Sequence, residues 1–85
     1  MIAEVKVYST DYCAWCARAK DLLKKRNVPF EEVDVTHDDE KRAWLTKETG
    51  MRTVPQVFID GHSIGGYDEL RALDQSGELE RRLHR

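Results

Sequence analysis

Between Ala3 and Val35 the spacing of apolar residues changes from alternate positions to helical intervals and back again. In "AEVKVY" (Ala3–Tyr8), Val5 and Val7 alternate with Glu4, Lys6 and Tyr8, the pattern of a strand covered on at least one face. Cys16, Ala19, Leu22 and Leu23 then recur at helical spacing, with Arg18, Lys20, Lys24 and Lys25 on the other side. This helix is expected to end near Asn27, ahead of Pro29. "PFEEVDV" places Phe30, Val33 and Val35 among acids and reads as a second strand. A strand, a short helix and a strand in so few residues predict one parallel crossover.

"HDDEKRAWLTKETG" opens on acids and stops at Gly50, as a second helix would, although only Ala43, Trp44 and Leu45 give it an apolar stripe. Trp44 is expected to be an ordinary core contact. "PQVFIDGHSIGG" supplies two short apolar runs joined by Asp60-Gly61, a pair that tolerates the positive φ angles of a tight hairpin. Asp68–Leu73 and Glu78–Leu83 place Leu70, Leu73, Leu79 and Leu83 at helical intervals, interrupted or kinked at Gly77. The order is βαβαββα. It predicts an α/β fold of the thioredoxin type, a four-stranded mixed sheet with helices on both faces, in a single domain over residues 1–85.

The 14 basic and 16 acidic residues are interspersed and leave a formal charge of -2, so no net field draws the chain to nucleic acid or an anionic membrane. Met1–Tyr8 shows neither a basic start nor an apolar run, and no later segment approaches a membrane span. A soluble, cytoplasmic protein is expected. In that compartment two cysteines three positions apart point to redox chemistry rather than to a disulfide scaffold.

Those cysteines lie in "TDYCAWCARAK" (Thr10–Lys20). On a helix, residues i and i+3 share a face, so Cys13 and Cys16 can form and break a disulfide. If the helix starts at about Cys13, that sulfur sits beside unpaired N–H groups and the positive end of the dipole, both favouring a thiolate. Cys13 is thus the expected nucleophile. Cys16, one turn inward and facing the sheet, is the expected resolving thiol. Arg18 and Lys20 project from a later turn and are expected to face solvent, with a minor share. A zinc site would need nitrogen ligands, and His37, His62 and His84 stand at no finger-like spacing from the pair. Two buried structural cysteines are the other reading, poorly suited to a helix start after an exposed turn. No metal site is expected, and the three histidines receive no role.

Two further stretches belong with the first. In "RTVP" (Arg52–Pro55), Pro55 opens the third strand, and a cis bond before it would turn the preceding backbone groups outward as an unpaired edge able to hold an extended peptide. In "GGYDE" (Gly65–Glu69), the glycines allow a tight turn that leaves the N–H groups of Tyr67 and Asp68 free to bind a carboxylate.

With these three motifs the sequence resembles the glutaredoxin family through nearly its whole length, in "VKVYSTDYCAWCARAKDLL" and "RTVPQVFIDGHSIGGYDEL". The resemblance implies a glutathione-dependent thiol–disulfide oxidoreductase that reduces protein disulfides and protein–glutathione mixed disulfides. It further implies that the Val54 backbone pairs with the cysteinyl unit of glutathione and that Thr53 lies in the same groove. By the same likeness Tyr67 and Asp68 meet the γ-glutamyl carboxylate and Arg42 the glycyl carboxylate. Tyr12, Trp15, Pro55 and Gly66 complete the implied glutathione-binding set. The expected partners are glutathione and disulfide-bearing or glutathionylated proteins, and the expected state is a monomer.

Three departures from the family pattern stand out. C-P-Y-C has become C-A-W-C through Ala14 and Trp15; Thr10 stands where many members carry lysine; and Tyr67 takes the place of a third cysteine. Loss of the active-site proline motivates an alternative, a dimer bridged by a glutathione-ligated [2Fe-2S] cluster. Another is a redoxin fed by thioredoxin reductase and serving ribonucleotide reductase. The acids Asp38–Glu40 read as a helix start, and the basic tail Arg81–Arg85 as a frayed helix end.

Overall fold

The elements follow the apolar pattern closely. A computed structural model describes residues 3–84. Its elements are β1 (Val5–Ser9), α1 (Ala14–Lys25), β2 (Glu31–Asp34), α2 (Asp39–Thr49), β3 (Gln56–Ile59), β4 (His62–Gly65), α3 (Tyr67–Ser76) and α4 (Glu78–Leu83). The sheet order is β2-β1-β3-β4, with β1 parallel to β2 and antiparallel to β3. The crossover α1 joins the parallel pair, and the β3–β4 hairpin extends the sheet on the other side. Asp60 and Gly61 both adopt positive φ, 52° and 81°, as a tight two-residue hairpin turn requires.

Because β1 and β3 are central, their alternate residues feed two cores. Val5, Val7, Val57 and Ile59 pack with Ala19 and Leu23 of α1, Leu70 of α3, and Leu79 and Leu83 of α4. On the opposite face Tyr8 and Phe58 meet Val35 and Leu45 of α2. The second core is much the smaller. A two-pronged ion pair, Arg26 Nε and Nη2 to the Asp74 carboxylate at 2.8 and 3.0 Å, ties the end of α1 to α3.

Capping sets the bounds of α2, whose only buried residue is Leu45. The Asp38 side chain accepts the Lys41 N–H at 2.9 Å, and Gly50 closes the helix in the left-handed region at φ 74°.

Several expectations need correction. The first strand runs from Val5 to Ser9, so Ser9 belongs to the sheet and, with Thr10, is buried. The last helical segment is two helices, giving βαβαββαα, because Gly77 at φ 83° ends α3 outright. Trp44 is not buried: 40% of it is exposed, its ring stacked on Phe58 at 5.9 Å and edge-on to Tyr8 at 5.7 Å. His37, His62 and His84 are exposed, and within the basic tail Arg81 and Arg82 lie in the last turn of α4, while Arg85 falls outside the described residues.

Leu23 is fully buried between α1 and the sheet. Leu23→Ala is expected to lower unfolding stability by about 2–5 kcal/mol in urea titrations. A loss near zero would mean that the α1 face is not the main core.

Candidate active site

Helix α1 begins on a sulfur. Cys13 is the residue capping its N-terminus, in extended backbone, and its Sγ accepts the Cys16 N–H at 3.1 Å. Serine, threonine, aspartate and asparagine normally fill this place with a side-chain oxygen. Here a thiol occupies it, so a backbone N–H and the positive helix end are aimed at the sulfur, an arrangement that favours negative charge there. Cys13 is half-buried and therefore reachable from outside.

Cys16 is in the opposite situation, fully buried against the sheet. Burial, then a hydrogen bond to the Cys13 side chain, pushes its thiol up to about 12, with a backbone hydrogen bond from Thr10 and the charge of Lys20 acting the other way. The pair is free in this structure, each cysteine a thiol. One sulfur is presented and one is held back.

The remaining residues expected at the site gather around Cys13 through a closed ring of contacts. Cys13 Sγ lies 3.7 Å from the carbonyl oxygen of Val54. The Val54–Pro55 bond is cis. A side chain on Gly66 would reach within 3.2 Å of the Pro55 carbonyl, so only a glycine passes this point without displacement. Next to Gly66, the Tyr67 ring lies 5.6 Å from that of Trp15, back on α1.

The Gly66 N–H is taken by the Glu69 carboxylate at 3.2 Å, and the N–H groups of Tyr67 and Asp68, in the first turn of α3, have no acceptor within the helix. On the other flank Arg42 Nη1 stands 3.4 Å from the Tyr12 hydroxyl, and Arg42, Thr46, Met51, Arg52, Thr53 and Val54 line a cleft. Gln56, fully buried, holds the loop by donating from Nε2 to the Thr53 carbonyl at 2.9 Å. Tyr12 and Trp15 are exposed by 71% and 52% and stand as walls. The positions singled out from the sequence thus lie around Cys13, with Cys16 buried one turn inward and Asp68 exposed in the first turn of α3.

A larger groove than the one beside Arg42, about 670 Å³, lies elsewhere, where Tyr8, Trp44 and Phe58 meet the rim of α2. It contains neither cysteine nor any loop residue of the patch, so size does not mark the chemistry here. Among the described residues no three His, Cys, Asp or Glu side chains gather to hold a metal, and no helix is long and apolar enough to cross a membrane.

Two features escaped sequence reasoning. Arg18 is exposed but not idle: its guanidinium lies over the Trp15 ring, 4.6 Å from the centroid. Lys20, expected in solvent, is half-buried and donates to Glu32 Oε2 at 2.6 Å. The i, i+4 spacing of Cys16 and Lys20 was a readable signal for the second, whereas Glu32 becomes its partner only through the strand register.

A half-exposed cysteine at a helix start, a buried one a turn later and a mixed sheet behind them define a thioredoxin-like thiol–disulfide oxidoreductase. The glutaredoxin family model matches residues 5–64. Glutaredoxin 3 of Escherichia coli (strain K12) is 43% identical over 79 residues, covering 93% of this chain and 95% of that protein. Glutaredoxin of Pseudomonas aeruginosa is 41% identical over 76 residues, covering 89% and 90%. A crystal structure of a buckwheat glutaredoxin–glutathione complex superposes with a TM-score of 0.90 at 33% identity, over 95% of this chain and 76% of that one. The chain belongs to the glutaredoxin family.

The contrast between the two thiols has a measurable consequence. The unfolded chain's Cys16 ionises from about 9, while in the fold it stays protonated to about 12. In that window the folded state binds the extra proton, so the reduced protein loses stability as pH rises. Cys16→Ala is expected to flatten this decline in denaturant titrations across the alkaline range. An unchanged slope would mean that Cys16 is not sealed.

Proposed function

We propose that this oxidoreductase takes its electrons from glutathione and acts on protein disulfides and on proteins joined to glutathione, as a monomer in the cytoplasm. The observation that carries the reading is the ring of contacts that sets Cys13 beside the Val54 carbonyl, and Tyr67 beside Trp15. The edge at Val54, the open N–H groups at the start of α3 and the Arg42 guanidinium offer one extended-backbone partner and two carboxylate partners. A γ-glutamyl tripeptide with a carboxylate at each end has those features. The buckwheat relative's complex with glutathione supports the same choice.

In this reading the Cys13 thiolate attacks the sulfur of a glutathionylated substrate on its glutathione side. The protein thiolate leaves with the electron pair of the broken S–S bond and takes up a proton. Cys13 is left joined to glutathione, with the Val54 backbone pairing the cysteinyl unit, Thr53 beside it, Tyr67 and Asp68 at the γ-glutamyl carboxylate and Arg42 at the glycyl one. A second glutathione then attacks the bound glutathione sulfur, releasing oxidised glutathione and restoring Cys13. For a protein disulfide, Cys13 forms a mixed disulfide with one substrate sulfur, and Cys16 attacks Cys13 to expel it.

The test is a coupled assay with glutathione and glutathione reductase, run beside one with thioredoxin reductase. Cys13→Ser is expected to fall to the uncatalysed background. Cys16→Ser keeps removal of glutathione from a mixed disulfide but loses most reduction of a protein disulfide. Full activity in Cys13→Ser, or turnover driven by thioredoxin reductase alone, would contradict the proposal.

A further inference from the structure

Cys16 must lose a proton in order to act, and it sits where a thiolate is poorly received. The burial that protects it from outside reagents also deprives any charge on it of water. One turn along the same face of α1 stands Lys20, whose side chain is half-buried and whose ammonium lies 2.6 Å from Glu32 Oε2. The same carboxylate oxygen accepts the Ser9 hydroxyl at 2.7 Å. Ser9 is fully buried at the end of β1, followed by Thr10, which makes the backbone hydrogen bond to Cys16. Glu32 reaches this position because the parallel register sets it opposite Val7, on the α1 face of the sheet. Serine, carboxylate and ammonium thus form one chain of contacts beside the turn of α1 that carries Cys16.

We propose that the Lys20–Glu32 pair positions a charge for the resolving step: the Lys20 ammonium favours the Cys16 thiolate as it forms, and Glu32 sets how much of that charge Cys16 receives. The inference rests on the glutathione reading given above. In the step itself Cys16 gives up its proton to solvent and attacks the Cys13 sulfur of the Cys13–glutathione disulfide. The Cys13–Cys16 bond forms, the bond to glutathione breaks with its electron pair on the glutathione sulfur, and a proton from solvent completes that thiol.

Neither member of the pair is suited to carry the proton. Lys20 and then Ser9 hold the Glu32 carboxyl below its ordinary range, and Glu32 holds the Lys20 ammonium above its own. The pair therefore acts by field. The titratable groups bearing on Cys16 are Cys13 and Lys20; those bearing on Lys20 are Glu32, Cys16 and Asp21; those on Glu32 are Lys20 and Asp34.

The experiment loads Cys13 with glutathione and follows glutathione release by rapid quench and mass spectrometry across pH. Each substitution is also made in the Cys16→Ser background, where exchange of glutathione on Cys13 serves as an internal reference. Relative to that reference, Lys20→Met is expected to slow release at neutral pH by roughly tenfold, the equivalent of one pK unit, and to move the rise of the rate to higher pH. Lys20→Arg restores most of it. Glu32→Gln, which frees the ammonium to turn toward the sulfur, leaves release as fast or faster. A merely structural ion pair would show the same sign for both partners. If Lys20→Met and Glu32→Gln slow release alike, or Lys20→Met slows it with no displacement in pH, the inference is overturned. If the Cys16→Ser protein itself exchanges no glutathione on Cys13, it is the glutathione reading that fails, and the inference with it.

Discussion

The hydrogen bond from the Cys16 N–H to the Cys13 sulfur is the constraint on which the rest of the structure depends. It fixes where α1 begins, and by doing so it gives the two cysteines opposite surroundings although only two residues separate them. Cys13, the N-cap, faces the open N–H groups of the first turn and is part-exposed, whereas Cys16, one turn later, is buried with its N–H taken by that sulfur. A dithiol placed in mid-helix or in a loop would lack this asymmetry. The chemistry of the chain follows from a boundary between two kinds of backbone rather than from an unusual side chain.

The scaffold keeps that boundary in place. Strand β1 is central, its Val5 and Val7 locked into the larger core, so the loop leaving its end delivers Cys13 to a fixed point above the sheet. Strand β3 lies beside it, and the turn ahead of β3 brings the Val54 carbonyl to the same point, with buried Gln56 holding Thr53 from below. Glutamate 69 closes α3 over Gly66, so the start of a second helix also faces the site. Two helix N-termini and one loop edge converge because three strands run side by side. The smaller core under α2 contributes Arg42 by the same route, through a helix bounded by caps at Asp38 and Gly50.

Much of this was legible in the sequence where a local rule sufficed. The Cys13–Cys16 spacing, the Asp60-Gly61 turn and the caps of α2 are short-range signals, and each formed the expected feature. Cys13 and Cys16 were read from their spacing at a helix start, while the glutathione-binding roles of the other site residues are those that motif likeness implies; composition alone supplied none. What was hidden depended on tertiary register. Glu32 pairs with Lys20 because β2 is parallel to β1 and places it opposite Val7, a fact no helical periodicity contains. Trp44 is 40% exposed, and a tryptophan in a thin apolar stripe looks the same in sequence whether covered or not. The stacking of Arg18 on Trp15 was likewise invisible, since an exposed cation beside an aromatic takes up that contact only when the ring is itself held, here by Tyr67.

The central claim, that one helix boundary presents the first sulfur and hides the second, is tested most directly by timed alkylation of the reduced native protein with iodoacetamide, read by peptide mass spectrometry. The account predicts that Cys13 is labelled to completion while Cys16 stays unmodified, becoming reactive only in denaturant. Labelling of both at similar rates, or of Cys16 first, would contradict it.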